Sequence, residues 1–227
     1  MSYLLVQTNR RSGIAVKVLP KNEVRVYTPR GIPLREADRF VLANFEQILK
    51  MRERLSAKLG DDSPVLPRAG AVIPVEGRER KLEILSGSGK SCIHEDSITI
   101  CLADPGNEDE VRRILRGMLV RLALQRFEEA LRLYAPRTGG IYHRVTVRDQ
   151  KTRWGSCSSK QNLNFNWRLI LAPPEVLQYV VIHELCHLKE FNHSRRFWAL
   201  VAAQMPDYEA WKKWLRTHGA ELQRITV

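Results

Sequence analysis

The chain has 227 residues, 44% of them apolar, which is ordinary for a globular protein large enough to form one domain or two small ones. No run of about 18 apolar residues occurs, which excludes a membrane-spanning helix. We therefore do not expect a membrane among the partners of the protein. The net charge of +12 favours a nucleotide or nucleic acid as a partner, but the basic residues are spread along the chain, as on a generally solvated basic surface.

Neither the N-terminus nor the cysteines indicate export. The first residues show no basic start followed by an apolar segment, so we expect no signal peptide. The cysteines form no CxxC pair, and reduced thiols in a cytoplasmic protein are the expected state. The four residues are Cys92, Cys101, Cys157 and Cys186.

The first part of the chain has a β-rich pattern with one long helix. Alternating apolar and polar residues predict the strands, the first two of which are joined by a turn at Lys21-Asn22. Pro33 opens a helical pattern, and Gly60 is expected to end it. The predicted strands are residues 13–20, 23–29, 71–77, 80–87 and 97–103.

The second part of the chain is predicted to be an α+β domain. We place the boundary near residues 102–107, which gives a β-rich N-terminal region at residues 1–104 and a second domain at residues 105–227. The capping pattern at Asn107 opens a helix that is expected to run to Pro136. The other predicted elements are strands at residues 143–149 and 162–172, a helix that starts at Pro173-Pro174, and helices at residues 194–204 and 207–219, the last capped by Gly219.

Residues 180–194, VVIHELCHLKEFNHS, contain three of the chain's six histidines. His183 and His187 form an H-E-x-x-H pattern. On a helix, positions i and i+4 lie about 40° apart around the axis and about 6 Å along it, so the two imidazoles can bind one ion. The residues before His183 are apolar at helical spacing, which predicts a buried and therefore rigid helix.

A catalytic zinc site usually needs a third protein ligand. Glu190 lies on the face of His187 but, on an unbroken helix, about 10 Å along the axis from His183. His193 can reach the ion if the helix ends after Glu190, and Asn192 tolerates the left-handed conformation that such an end requires. Ser194 is then a suitable N-cap for the next helix. We therefore expect His183, His187 and His193 to bind one Zn²⁺.

Glu184 lies to the side of the histidine pair, where it can reach a water molecule without binding the ion. Zinc lowers the pKa of water and polarises an oxygen of the substrate, while the carboxylate accepts the proton and later returns it to the leaving group. A purely structural zinc is disfavoured because an unpaired carboxylate beside a closed site would be costly. The motif therefore indicates hydrolysis at a carbonyl or phosphoryl centre.

The segment TRWGSCSSKQNLNFNWRLILAPPEVLQYVVIHELCHLKEFNHSRRFW closely resembles the YgjP-like predicted metal-dependent hydrolases, relatives of the SprT-like and WLM-type zinc metallopeptidases. The resemblance is dense from Arg148 to Gly219 and looser over nearly all of the remaining chain. It implies a minimal zincin-like core, in which a small twisted sheet packs on an active-site helix. It also implies the three histidine ligands and Glu184 as the catalytic residue.

The segment Arg153-Trp154-Gly155-Ser156-Cys157 connects two predicted strands beside the expected site. Gly155 would permit close approach of a substrate or of the metal-site helix, and Arg153 or Ser156 could stabilise an oxyanion. Trp154 is more typical of a packing residue than of a substrate contact. Asn166 shares a strand face with Asn164 that is expected to point toward the cleft. The candidate substrate-binding residues are Arg153, Trp154, Gly155, Ser156 and Asn166.

Three functions fit these residues. The first is a zinc-dependent peptidase whose edge strand pairs with a polypeptide substrate. The second is a nucleotide pyrophosphatase in which Lys151, Arg153 and Arg168 bind phosphates, with UTP as the substrate that the resemblance implies. Against it, phosphate chemistry usually uses magnesium on carboxylates, and three histidines favour zinc. The third is a SprT-like protease that acts on proteins bound to nucleic acid.

Overall fold

The structure is a computed structural model, and its contacts divide the chain into two compact units, Met1–Ser63 and Pro64–Val227. The domain boundary that the sequence predicts, between residues 104 and 105, falls inside the second unit. The division of the chain into an N-terminal region and a metallohydrolase domain at that point stays a prediction. The residues that the structure describes are 3–8, 13–19, 24–51 and 64–227.

The first unit contains a small mixed sheet. Its middle strand β3 runs parallel to β1 and antiparallel to β2, and the buried Val24 and Val26 of β3 supply the apolar face of the sheet. The strands are β1 (Leu4–Thr8), β2 (Ala15–Val18) and β3 (Val24–Pro29). The predicted Lys21-Asn22 turn lies outside the described residues.

The helix predicted to start at Pro33 is interrupted. Helix α1 spans Leu34–Ala43, and residues 45–51 are helical again after a turn at Asn44. The Asn44 side chain donates a hydrogen bond from Nδ2 to the Phe40 carbonyl at 2.8 Å, so its amide competes with the helical backbone pattern. The expected end at Gly60 lies outside the described residues.

The second unit begins with a four-stranded sheet of order β4-β5-β7-β6. Strands β5 and β7 are parallel, and the two outer pairings are antiparallel. Its alternating residues bury one apolar face, as period-two patterning predicts. The strands are β4 (Val72–Val75), β5 (Arg78–Ser86), β6 (Cys92–Ile93) and β7 (Ser97–Leu102).

Helix α2, Glu108–Thr138, runs through the core of the second unit. As predicted, Asn107 caps its start, since the side-chain oxygen of Asn107 accepts a hydrogen bond from the Glu110 N–H at 3.1 Å. The helix continues two residues beyond Pro136 and ends at Gly139, which has left-handed backbone angles. Phe127 of α2 stacks on Phe165 with ring centroids 4.7 Å apart, which fixes the helix against the next sheet.

That next sheet has three strands, β8 (Arg144–Arg148), β9 (Gly155–Cys157) and β10 (Asn162–Asn166), in the order β8-β10-β9. The strand predicted to reach residue 172 stops at Asn166, so that part of the prediction is wrong. Residues Trp167–Leu171 form a 3-10 helix, because the Asn166 side chain accepts a hydrogen bond from the Arg168 N–H at 3.1 Å and turns the backbone.

Three helices complete the second unit: α3 (Pro174–Cys186), α4 (Arg195–Gln204) and α5 (Tyr208–Arg224). The sequence predicts that Gly219 ends the last helix, but α5 continues past it, so this prediction is wrong. A Cβ on Gly219 would lie 3.0 Å from Cζ2 of Trp154, so this position provides room for an indole. The described residues thus form a mixed fold of helices and small sheets, which agrees with the α+β class, and they include no helix that is long and apolar enough to cross a membrane.

Candidate metal centre

Helix α3 carries the H-E-x-x-H residues at its buried C-terminal end. Pro174 is its first residue, where the missing N–H of proline costs no helical hydrogen bond. The helix ends at Cys186, with His187 as its C-cap, four residues earlier than the sequence predicted. The backbone N–H of Glu190 still donates to the Cys186 carbonyl at 3.0 Å, which holds the chain as it leaves the helix.

The chain then turns and starts helix α4, which brings His193 back to the end of α3. Asn192 is absent from the described non-glycine residues with positive φ, so the predicted left-handed conformation there is wrong. Instead, its side-chain oxygen accepts a hydrogen bond from the Ser194 N–H at 3.3 Å. Ser194 caps α4 as predicted, because its hydroxyl accepts a hydrogen bond from the Phe197 N–H at 3.3 Å.

The three histidines converge through the same ring atom. Nε2 of His183 lies 3.2 Å from Nε2 of His187 and 3.0 Å from Nε2 of His193. All three potential ligand atoms lie within 4.8 Å of one another. Nitrogen ligands of a tetrahedral zinc, each about 2.0 to 2.1 Å from the ion, are about 3.4 Å apart. The two separations from His183 match this spacing, and the His187 and His193 rings must move closer together to bind the same ion.

The protonation of the histidine rings also suits a metal site. Nδ1 of His187 lies 3.0 Å from the Glu190 carbonyl oxygen, which can only accept, so Nδ1 carries the proton and Nε2 keeps its lone pair. Burial, followed by the neighbouring His187 and His193, lowers the pKa of His183 to about 3. Burial also lowers the pKa of His193. Neutral imidazoles are the form that binds metal ions.

The Phe197 ring packs against all three histidines of the cluster. Its ring centroid lies 4.9 Å from that of His183, 4.5 Å from that of His187 and 4.8 Å from that of His193. The Phe197 side chain is fully buried. One apolar ring therefore restricts the orientation of all three imidazoles and keeps water away from one side of the cluster.

Glu184 is buried beside this cluster and faces strand β9. Burial raises the pKa of Glu184 to about 8, while the positive charge of Arg153 and the backbone N–H of Cys157 act in the opposite direction. The Cys157 N–H donates a hydrogen bond to the Glu184 carboxylate. A hydrogen bond from the sheet therefore fixes the carboxylate that helix α3 carries.

Strand β9 is an edge strand among the described residues. It pairs with β10 on one side, where the Trp154 carbonyl accepts from the Asn166 N–H at 2.8 Å and the Ser158 N–H donates to the Asn162 carbonyl at 3.0 Å. In an antiparallel pair the intervening residues direct their backbone groups to the other side. The backbone groups of Gly155 therefore face away from β10, on the side of β9 where Glu184 accepts its hydrogen bond.

A model of the YgjP-like metallopeptidase domain matches residues 12–218 of the chain. The chain belongs to the YgjP-like family. No curated protein matches it. Among solved structures, the YgjP-like chain is similar to the metallopeptidase zymogen of Pyrococcus abyssi abylysin, with 25% sequence identity and a TM-score of 0.38. That match covers 44% of this chain and 99% of the other.

Family membership supports a metal-dependent peptidase as the general activity, since the matching model describes a metallopeptidase domain and spans most of the chain. It also agrees with the resemblance that the sequence motifs carry.

The structure separates the candidate substrate residues of this YgjP-like domain into two groups. Arg153, Gly155 and Ser156 lie on or next to β9, with Ser156 accepting a hydrogen bond from the Asn164 side chain at 3.3 Å. Trp154 packs on Gly219, as a packing residue would. Asn166 is fully buried, and its amide donates to the Gln150 carbonyl at 2.6 Å and to the Arg153 carbonyl at 3.3 Å. It therefore stabilises the backbone of the segment that leads into β9.

Sequence reasoning missed an aromatic wall beside the cluster. We use this name for Tyr179, Trp198 and Tyr208, which stack in series: Trp198 and Tyr208 lie 5.3 Å apart, and Tyr208 and Tyr179 lie 6.5 Å apart. Burial raises the pKa of Tyr179 to about 12, so its phenol stays protonated at neutral pH. Trp198 is 5.6 Å from His193 and lies beneath the Lys212 ammonium. Of these three residues, only Trp198 lies in the SRRFW segment that follows the histidine motif, so the sequence offered little signal for the wall.

Proposed function

We propose that this chain is a zinc-dependent peptidase with a zincin-like core. In this proposal His183, His187 and His193 hold one Zn²⁺, and Glu184 is the general base. The observation that carries the proposal is the convergence of three Nε2 atoms beside a buried carboxylate.

The donor set supports zinc as the metal. Three neutral imidazoles are typical ligands of a catalytic zinc, whereas magnesium and calcium prefer oxygen ligands. When bound, zinc supplies Lewis acidity that lowers the pKa of water and polarises a carbonyl oxygen.

The residues of the chain would perform the proton transfers. Glu184 accepts a proton from the attacking water and donates it to the leaving amine, because its carboxylate is fixed by the Cys157 N–H and shielded from bulk water. Arg153 contributes positive charge on the same side and favours the anionic form of Glu184 before the reaction. The protonated Tyr179 also lies beside the histidine cluster, with its ring centroid 5.8 Å from that of His183.

The substrate would bind as an extended peptide along β9. The backbone groups of Gly155 that face away from β10 can pair with it, as in other cases of strand addition. Such pairing recognises the backbone of a polypeptide and not its sequence, which fits a peptidase better than a nucleotide hydrolase.

The nucleotide pyrophosphatase is less well supported. Arg168, one of its three proposed phosphate ligands, is buried, forms an ion pair with Asp149 and lies over the Trp167 ring at 4.6 Å. Its guanidinium therefore makes its contacts within the core of the second unit and not with a phosphate. The alternative of a protease on nucleic-acid-bound proteins rests on the net charge of +12 and shares the same peptidase chemistry.

The test is to compare the zinc-loaded protein with the Glu184→Gln variant on three substrates: an unfolded protein, UTP and a protein bound to DNA. We expect peptide hydrolysis to fall by about a hundredfold to ten-thousandfold, the contribution of a general base, while zinc stays bound. Glu175→Gln is the matched control, because Glu175 is exposed in the first turn of the same helix. Hydrolysis of UTP with every polypeptide left intact would contradict the proposal.

A further inference from the structure

Lys212 of helix α5 lies at the border of the histidine cluster. Its ammonium is 3.7 Å from the centre of the Trp198 ring, and that ring is 5.6 Å from His193 and 5.8 Å from His183. The Lys212 cation and the proposed ligands His183 and His193 therefore lie around the same indole ring.

Within the part of the chain that the structure describes, Lys212 has no ion-pair or hydrogen-bond partner. The nearby acidic residues of α5 bind elsewhere: Asp207 accepts a hydrogen bond from the Trp211 indole at 2.9 Å, and Glu209 accepts one from the Tyr208 hydroxyl at 3.3 Å. By contrast, arginines of α2 such as Arg112 and Arg113 pair with acidic residues of their own helix. The Lys212 charge is therefore held over an aromatic ring and left available to solvent.

An available cation beside a divalent metal site carries an electrostatic cost, because the two positive charges repel each other. An anion that binds between them or next to them removes that cost. A lysine ammonium is a compact charge with rotatable donors and suits a single carboxylate. The exposed position of Lys212 fits a contact with the substrate at the border of the histidine cluster and not at the reacting atoms.

From this arrangement we infer that Lys212 binds a carboxylate of the peptide substrate close to the cleaved bond, so that the enzyme prefers acidic peptides. This inference rests on the proposed peptidase function. The carboxylate is either an Asp or Glu side chain or the C-terminal carboxylate of the peptide, and the two sources are separated by experiment. Lys212 is thus a specificity-determining residue, and the reaction itself does not require it.

The experiment uses two pools of random peptides, one containing Asp and Glu and the other Asn and Gln at the same positions, each as free acid and as C-terminal amide. We expect the zinc-loaded protein to cleave the acidic pool about three to five times faster in kcat/KM, as for an exposed ion pair. The preference should weaken as salt is added. A preference that follows the free acid and disappears in the amides assigns the contact to the C-terminus.

Lys212→Gln should abolish the preference, Lys212→Arg should keep most of it, and Lys213→Gln should leave it unchanged. Lys213 is the matched control because it is the next residue of α5, is also exposed, and has no contact with Trp198 among those found in the described residues. Equal cleavage of both pools by the unaltered protein overturns the inference, as does an undiminished preference in Lys212→Gln.

Binding to the zinc-loaded Glu184→Gln variant keeps this inference separate from the proposed function. Fluorescence anisotropy of labelled peptides from the two pools measures the same preference as a ratio of Kd values, with and without Lys212→Gln. Absence of cleavage of any pool by the unaltered protein counts against the peptidase alone. A Kd ratio of one counts against the role of Lys212, whatever the cleavage assay gives.

Discussion

The carboxylate of Glu184 lies against the α-carbon of Gly155. A Cβ added to Gly155 would come within 2.6 Å of Oε1 and 2.8 Å of Cγ of Glu184, closer than side-chain carbons approach other atoms. Only glycine therefore allows strand β9 to approach the helix that carries the proposed general base. This contact links the sheet, the acid and the histidine pair in one arrangement.

Gly155→Ala should displace the Glu184 carboxylate while leaving the three histidines in place. We expect activity to fall by about a hundredfold, since a shift of about 1 Å in a catalytic group has an effect of that size. Zinc content should stay at one ion per chain, as measured by elemental analysis beside the peptidase assay.

Gly117→Ala is the control for that variant, because Gly117 lies within α2 and a Cβ there meets nothing within 4 Å. It should keep full activity and increase stability by about 1 kcal/mol, the difference in helix propensity between the two residues. Full activity in Gly155→Ala would show that the close approach to Glu184 is unimportant.

Phe197→Ala should weaken both the fold and the metal site. Removing a fully buried phenylalanine costs about 3 to 5 kcal/mol in unfolding free energy, and here it also frees the three imidazole rings. We expect lower zinc affinity in a competition titration with a chelator, with Phe197→Leu intermediate. A large loss of stability in denaturant unfolding with unchanged zinc affinity would limit Phe197 to a role in the fold.

Cys157 and Cys186 should react slowly with alkylating reagents in the native protein. Burial raises the pKa of each thiol to about 11, with Glu184 adding to the shift at Cys157. A raised pKa keeps the thiol protonated, so alkylation should accelerate only as the pH approaches 11. Mass spectrometry after timed alkylation at pH 7.5 measures this. Fast labelling of either thiol under these conditions would contradict the structure around the site.

The candidate ligands could be predicted because they depend on local geometry. The spacing of His183 and His187 requires only a helix, and the Ser194 cap requires only that a second helix follow. The point where α3 ends was less predictable, because Cys186 and His187 have no sequence feature that stops a helix. The Asn192 side chain, and not its backbone conformation, stabilises the connection.

Other features could not be predicted because they depend on residues distant in the chain. Gly219 has the position of a helix cap in the sequence, yet it makes room for Trp154. The apolar residues after Asn166 fit a buried strand as well as they fit a 3-10 helix, and the Asn166 side chain decides between them. Lys212 is one of many basic residues until the fold brings it over Trp198.

Zinc binding by the three histidines is tested most directly by the zinc content of three proteins purified in parallel: the unaltered chain, His193→Ala and His218→Ala. His218 pairs with Glu221 and lies outside the histidine cluster. We expect one zinc per chain in the unaltered protein and in His218→Ala, and a large loss in His193→Ala. One zinc retained with full affinity in His193→Ala, or no zinc bound by the unaltered protein, would contradict this expectation.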